Sequence, residues 1–425
     1  MNIFLANRGS QGDIYPYLRL AQELTVRGHF VTISIPRIFE KQAKEAGVNY
    51  VLQAMDDIAG MLSETPDTKA LLKWMHGVVE DQFDEYIPLL EKHDIFVCGN
   101  TEFSAGSIAE YCKKPIIRTA FGPFLPSKTI SPPAMPFPTA KRIFIPLLWA
   151  MLNGGLNMMI LKTINRRRKA LELKTIRSQT SHAPKTADNF LMYSKYLGNV
   201  DTEWPYKWNI GGYVFNDSFP YEEQALKDVS AFIKKDARPT IFFTLGSCNA
   251  EERDRFAERL FDICCRHSFK LVVGCGWWKV GTHLHNKENL YLLDKAIPHW
   301  FIFPSCDAII HHGGAGTTHS VARAGKPQMV VPLLIDQFYW GQRVKELGIG
   351  PGSVKMKTSI KPASAGKASS LEEKVLDLVN NPVYKENAAR LGEQIRSEKG
   401  LEEICKHIES YASSLVSNSE LAVNQ

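Results

Sequence analysis

Short apolar runs alternate with amphipathic stretches along this chain, and the alternation starts afresh after residue 238. Asn2–Ala6 (NIFLA) runs into a polar, glycine-bearing turn, Asn7–Asp13, after which Tyr17, Leu18, Ala21 and Leu24 recur at helical spacing as far as Gly28. Phe30–Ile35 reads as the next strand, and Ile95–Cys98, Ile108–Cys112 and Ile116–Phe121 continue as strand, helix and strand. In the second half Thr240–Thr244 precedes Leu245-Gly246-Ser247, and Lys270–Val273, Leu290–Leu293, Ala308–His311 and Gln328–Pro332 come after it. Such alternation demands parallel sheets with helices on both faces. A chain of 425 residues is too long for one such unit and suits two of about 200. Tyr206–Pro239 carries Gly211-Gly212, Asn216-Asp217, Pro220 and Pro239, the composition of an interdomain linker. The expected fold is therefore α/β, two Rossmann-like doubly wound domains facing a cleft. Residues 1–215 form one domain, 216–238 the linker, 239–412 the second domain and 413–425 a flexible tail.

Composition narrows the function classes. With 44% apolar and 23% charged residues the chain is globular rather than disordered. A net charge of +6 favours an anionic ligand or surface but is too small to imply nucleic acid. The eight cysteines form no C-x-x-C pair, and Cys264-Cys265 are adjacent. That pattern predicts a reducing compartment with no disulfide frame and no zinc site. The first residues enter a strand directly, without a basic n-region and apolar h-region, which predicts no secretory signal and a cytoplasmic location. Ile143–Leu161 is nearly all apolar and flanked by Lys141-Arg142 and Arg166-Arg167-Arg168-Lys169. Pro146, Asn153, Gly154, Gly155 and Asn157 are expected to break it into a buried helix pair or a cleft-lining hairpin rather than a membrane span. Its greasy surface and basic flanks add peripheral contact with the inner face of a membrane as an expectation.

The stretch Ala308–Gln337 carries the most chemistry. It reads as a buried strand, a turn of small residues and a helix beginning near Thr317. Gly313, Gly314 and Gly316 allow backbone amides to approach a ligand, and Thr317 and Thr318 add hydroxyls at a helix N-terminus that favours an anion. His312 at the strand end can donate to a phosphate oxygen. From His312, Gly325 lies 13 residues on, Pro327 15, Pro332 20, and Asp336-Gln337 24 and 25.

That spacing resembles the donor signature of family 1 UDP-dependent glycosyltransferases, H-x-G-x(10)-G-x-P-x(4)-P-x(3)-[DE]-Q, at all six fixed positions beyond the histidine. The turn Gly9-Ser10-Gln11-Gly12-Asp13 with Pro16 resembles the G-S-x-G-D-x-x-P turn of sterol glucosyltransferases and glycopeptide glycosyltransferases, most closely the bacterial members. The resemblance implies the GT-B fold. It implies that Ser247, Gly314, Gly316 and Thr317 bind the donor diphosphate with His312, and that Asp336 and Gln337 bind the donor sugar. Asp13 is implied as the general base, while an ordinary helix cap is the other reading of that residue. Asp294 stands where plant members carry a base-stacking tryptophan; Trp277 and Trp278 are the alternatives, and each also reads as an ordinary aromatic.

The expected activity is inverting transfer of a hexose, glucose first, from a UDP-sugar to a hydroxyl of a hydrophobic small-molecule or lipid acceptor. No metal or other cofactor is expected. Phe121–Phe124, Pro132–Phe137 and the apolar stretch after Ile143 are expected to line the acceptor pocket. The alternatives are a dTDP-deoxysugar, rhamnosyl-type transferase acting on a lipid at the membrane surface, and a non-catalytic nucleotide-sugar-binding module. A nicotinamide oxidoreductase is disfavoured because neither half shows G-x-G-x-x-G after its first strand.

Overall fold

The computed structural model describes residues 1–54, 68–218, 221–246, 248, 252–276, 286–295, 297–359 and 370–423, apart from the side chains of 68 and 412–423. Seven strands build the first sheet: β1 (Asn2–Ala6), β2 (Phe30–Ile35), β3 (Asn49–Leu52), β4 (Ile95–Cys98), β5 (Ile116–Ala120), β6 (Asp188–Leu191) and β7 (Trp208–Ile210). Six build the second: β8 (Thr240–Thr244), β9 (Lys270–Gly274), β10 (Leu290–Leu293), β11 (Ala308–His311), β12 (Gln328–Val330) and β13 (Gly352–Ser353). The orders are β3-β2-β1-β4-β5-β6-β7 and β10-β9-β8-β11-β12-β13, with parallel pairing between neighbours. Both are the doubly wound arrangement, as expected. Each order reverses once, at β1/β4 and at β8/β11, and ligands bind outside the strand C-termini at such points.

Nine helices matter for the site and its support: α1 (Gln11–Val26), α2 (Thr68–Leu90), α3 (Ala105–Cys112), α4 (Ile145–Ala170), α5 (Gln179–Thr186), α6 (Glu223–Lys234), α7 (Ala315–Arg323), α8 (Gln337–Glu346) and α9 (Gly400–Val423). The strands are buried on both faces. One first-domain cluster joins Leu5, Ile33 and Val97 to Tyr17, Ala21 and Leu24 of α1; the other joins Phe4 and Phe96 to Val79, Phe83 and Tyr86 of α2.

Three expectations change. The apolar segment Ile143–Leu161 is neither a helix pair nor a hairpin: after a 3-10 turn, Arg142–Phe144, it belongs to the unbroken 26-residue α4. Pro146 sits in the first turn, where its missing N–H is not needed. Asn157 holds the start of α5 against α4: its Nδ2 donates to Ser178 Oγ at 3.0 Å and its Oδ1 accepts from Gln179 N at 2.9 Å. Residues 216–238, read as a linker, contain α6, whose Val229 and Ile233 pack with Val272 and Leu293 of the second sheet. The tail from 413 is helical to Val423 as the continuation of α9, and Ile404, Cys405 and Ile408 of α9 lie in the first domain's core beside Leu20 and Leu24. All eight cysteines are free thiols.

Candidate active site

The base candidate sits at the first crevice. β1 ends at Ala6, and the adjoining turn leads into α1 with Ser10 as its N-cap and Asp13 in its first turn. Asp13 Oδ2 accepts from Ser10 N at 2.8 Å and from Ser10 Oγ at 3.1 Å, the return half of a capping box. Gly9, at φ +151°, makes room for this, because a Cβ there would lie 2.3 Å from Asp13 Oδ2. Asn7 ties the loop back, donating through Nδ2 to the Asp13 carbonyl at 2.9 Å. So the cap occupies Oδ2, and the cap and base readings of Asp13 can fall on different oxygens. Burial raises the Asp13 carboxyl from 3.8 to about 6, against the opposing pull of the Ser10 hydrogen bonds.

At the second crevice β11 ends at His311, and α7 begins at Ala315 with Gly314 as N-cap. The first backbone bond closing the helix runs from Thr318 N to Gly314 O at 3.0 Å, so the amides of Ala315, Gly316 and Thr317 precede it and point outward at the positive end of the helix dipole. His312 lies beside them against Gly246 and Gly314, and its Nδ1 is buried without a hydrogen-bond partner among the described residues. Burial lowers its pKa to about 3, with His311 and His299 adding to the effect, so it is neutral across physiological pH. An orphaned imidazole nitrogen next to free helix amides is an arrangement that a diphosphate oxygen would complete.

Asp336 is the N-cap residue of α8, and Gln337 is the helix's first residue. Asp336 Oδ2 accepts from Trp340 Nε1 at 2.9 Å. Its carboxyl is raised from 3.8 to about 6 by burial, with the negative charge of Asp13 contributing. Gln337 is buried, and its Oε1 accepts from Leu333 N at 2.7 Å and Leu334 N at 3.0 Å, while Nε2 donates to Cys248 Sγ at 3.4 Å. Its carboxamide thus holds the Leu333–Leu334 loop in place. Ile335, just before Asp336, takes φ +45°, a costly conformation for a β-branched side chain.

The two crevices close on each other. A Cβ at Gly12 would come within 4.0 Å of Gly316 N, and one at Gly316 would meet Tyr213 Oη at 2.8 Å and Gly12 Cα at 3.5 Å. The glycines therefore let the N-termini of α1 and α7 approach to backbone contact, bringing Asp13 and Asp336 from different domains to one place. Tyr213 braces the junction: its hydroxyl donates to Gly12 O at 3.3 Å and its ring stacks on His319 at 4.6 Å. His319 Nδ1 donates to Ala315 O at 2.7 Å, and Nε2 accepts from Ser194 N of the first domain at 3.1 Å.

The structure thus sets Asp13's loop against Gly316 across the interdomain junction, His312 against Gly314, and Asp336 where it feels the charge of Asp13, with Gln337 the next residue. Ser247, Trp277 and Trp278 lie outside the described residues, and Asp294 is exposed just past β10. Sequence reasoning missed Tyr213, His319 and Trp340. Tyr213 lies in a segment read as linker, the first-domain partner of His319 is remote in sequence, and only the four-residue helical spacing from Asp336 could have pointed to Trp340.

Comparison with known proteins bears on the fold and the family. Residues 285–411 match the C-terminal domain of the erythromycin biosynthesis protein CIII-like family. The chain is 24% identical over 422 residues to sterol 3-beta-glucosyltransferase UGT80A2 of Arabidopsis thaliana, covering 94% of this chain and 64% of that one. It is also 24% identical over 429 residues to the sterol 3-beta-glucosyltransferase of Komagataella phaffii, covering 92% of this chain and 33% of that protein. This chain therefore spans less than two thirds of the length of these relatives. Among solved structures, the glycosyltransferase of kitacinnamycin superposes with a TM-score of 0.71 at 18% identity, covering 96% of this chain and 98% of that one. Glycosyltransferase VinC in complex with dTDP does so with a TM-score of 0.64 at 16% identity, covering 97% and 100%. With the donor signature and the paired doubly wound sheets, these likenesses show the GT-B fold and a similarity to the family 1 glycosyltransferases.

Proposed function

We propose that the protein transfers a hexose, glucose first, from a UDP-sugar to the hydroxyl of a hydrophobic acceptor such as a sterol, flavonoid, polyketide or lipid, with inversion at the anomeric carbon. The observation that carries this reading is the meeting of Asp13 with Asp336 and the α7 N-terminus across the two crevices. Asp13 Oδ1 accepts the acceptor's hydroxyl proton as its oxygen bonds to the anomeric carbon, and the bond from that carbon to the diphosphate oxygen breaks. The leaving diphosphate gathers negative charge, which the amides of Ala315–Thr317 and the neutral His312 stabilise without a metal. A carboxyl near 6 is mostly ionised at pH 7, yet basic enough to take a proton in the transition state. Asp336 is assigned to the sugar hydroxyls, and Gln337 shapes the loop that presents it. On the acceptor side, Phe121 packs near Tyr17 and Tyr213, an apolar wall beside Asp13.

A dTDP-deoxysugar donor is the second reading, favoured by the likeness to VinC, which was solved with dTDP. Thermal unfolding with UDP, dTDP, UDP-glucose, dTDP-rhamnose and NADH separates the readings. A nucleotide at 100 times its Kd adds roughly 2.7 kcal/mol of stability. Stabilisation by UDP over dTDP supports the first reading and the reverse supports the second. A response to NADH alone, or to none of them, overturns both. Turnover of UDP-glucose with hydrophobic alcohols, monitored by product release, then distinguishes a transferase from a module that only binds.

A further inference from the structure

One face of α4 is apolar and uncovered. Leu147 is 57% exposed, Met151 56% and Met158 84%, a stripe at helical spacing, and Ile143 and Phe144 extend it at 78% and 50%. The opposite face is anchored: Ile160 and Ile164 pack with Val79 and Phe83 of α2, and Trp149 Nε1 donates to Ile130 O at 2.8 Å. Near its end Arg168 is buried in a two-pronged pair with Glu110, at 2.8 and 3.1 Å. The helix is long and apolar enough to cross a membrane, but these contacts make it a structural part of the first domain.

Charge says what covers the exposed stripe. Residues 141–171 contain no Asp or Glu. Lys141 and Arg142 are exposed at one end, Lys162, Arg166 and Lys169 at the other. The nearby carboxylates of Glu80 and Asp84 on α2 are engaged by Arg166 and Arg167. A second copy of this chain laid along the stripe, parallel or antiparallel, would set a basic end against a basic end. A surface that is apolar beneath and negative at the headgroups satisfies both features.

We propose that this face of α4 docks onto an anionic lipid bilayer, lying in the interface with Leu147, Met151 and Met158 directed into the acyl boundary and the basic ends at the headgroups. This surface is separate from the donor cleft, so it can be tested without any sugar substrate.

The experiment is co-sedimentation of the full chain with vesicles of phosphatidylcholine alone or mixed with phosphatidylglycerol. The wild type binds the mixed vesicles. The variant Leu147→Glu/Met151→Glu/Met158→Glu binds them roughly tenfold or more weakly, since three apolar groups leave the acyl boundary. Arg142→Gln and Lys162→Gln each weaken binding about fivefold, the equivalent of about 1 kcal/mol per charge, on mixed vesicles only. The mutated side chains are exposed, so unchanged melting temperatures show that the fold is retained. Absence of wild-type binding to mixed vesicles overturns the proposal. So does light scattering that shows a wild-type dimer turned monomeric by the triple substitution, which would make the stripe a self-association surface.

Discussion

Asp13→Asn is expected to make the protein more stable and nearly inactive at once. The asparagine keeps an oxygen to accept from Ser10 N, now at 2.8 Å, so the cap survives. What it removes is a charge that the fold disfavours. The carboxyl moves from 3.8 to about 6 on folding, about 2 units, which at about 1.4 kcal/mol each is about 3 kcal/mol of penalty for the ionised form. The partly exposed side chain keeps some contact with water, which lowers the penalty towards about 1 kcal/mol. The sign comes from proton uptake: between the two pKa values the folded state binds more protons than the unfolded chain, so wild-type stability falls as pH rises through that interval. The penalty is absent well below pH 3.8, about half developed at pH 5 and constant above roughly pH 7. Urea unfolding monitored by circular dichroism should place the variant about 1–3 kcal/mol above wild type at pH 8, with a smaller gap at pH 5. Turnover should fall about 10²–10⁴-fold. A variant that is less stable than wild type at pH 8 would mean that the capping role outweighs the buried charge. One that keeps near-normal turnover while binding donor would remove Asp13 from the chemistry.

The same geometry fixes further outcomes. The pH profile of kcat/KM should rise with unit slope to about pH 6 and stay flat to pH 8, because the base must be ionised while His312 stays neutral; a limb near pH 7 would implicate another group. Gly316→Ala places a Cβ 2.8 Å from Tyr213 Oη, and should cost about 1–3 kcal/mol and weaken donor binding in calorimetry; unchanged affinity would show that the α1–α7 contact is not needed. Arg168→Met removes a buried guanidinium that bonds Glu110, Ser107 Oγ and Lys174 O, and should lower stability by about 1–3 kcal/mol in urea titration, whereas no measurable loss would make those bonds incidental. Dialysis against EDTA should leave turnover unchanged; a fall restored by Mg²⁺ would mean that helix amides and His312 do not suffice for the leaving group.

The sequence disclosed what depends on local chemistry. Runs such as FVTISI and TIFFT are apolar enough to be strands in any context, and a glycine turn between a buried strand and a helix has few other uses. Other strands were harder: the edge strand β3 is half-polar, the edge strand β13 has two residues, and the inner strand β6 opens with the buried pair Asp188 and Asn189. Asp188 is tolerated only because Lys207 and His407, distant in sequence, meet it. In α4 the polar and small residues that looked like breaks are used instead for docking α5, which periodicity cannot reveal. In the site, each half was legible alone. The Asp13–Asp336 juxtaposition, the bracing by Tyr213 and the turning of Gln337 onto its own loop arise from contacts between segments more than 80 residues apart or from side-chain orientation.

The packing of α9 bears on how the protein is made. Ile404, Cys405 and Ile408 fill the first domain's core beside α1, and Glu409 bonds to His29 Nε2 at 3.1 Å. The domain translated first is thus the last to be completed, since its core lacks a wall until the ribosome has passed residue 408. Until then Leu20 and Leu24 lack the cover that Ile404, Cys405 and Ile408 give them, and uncovered apolar surface favours aggregation. Separate expression of residues 1–215 should give an aggregating fragment, and adding residues 398–411 as a separate peptide should rescue its solubility.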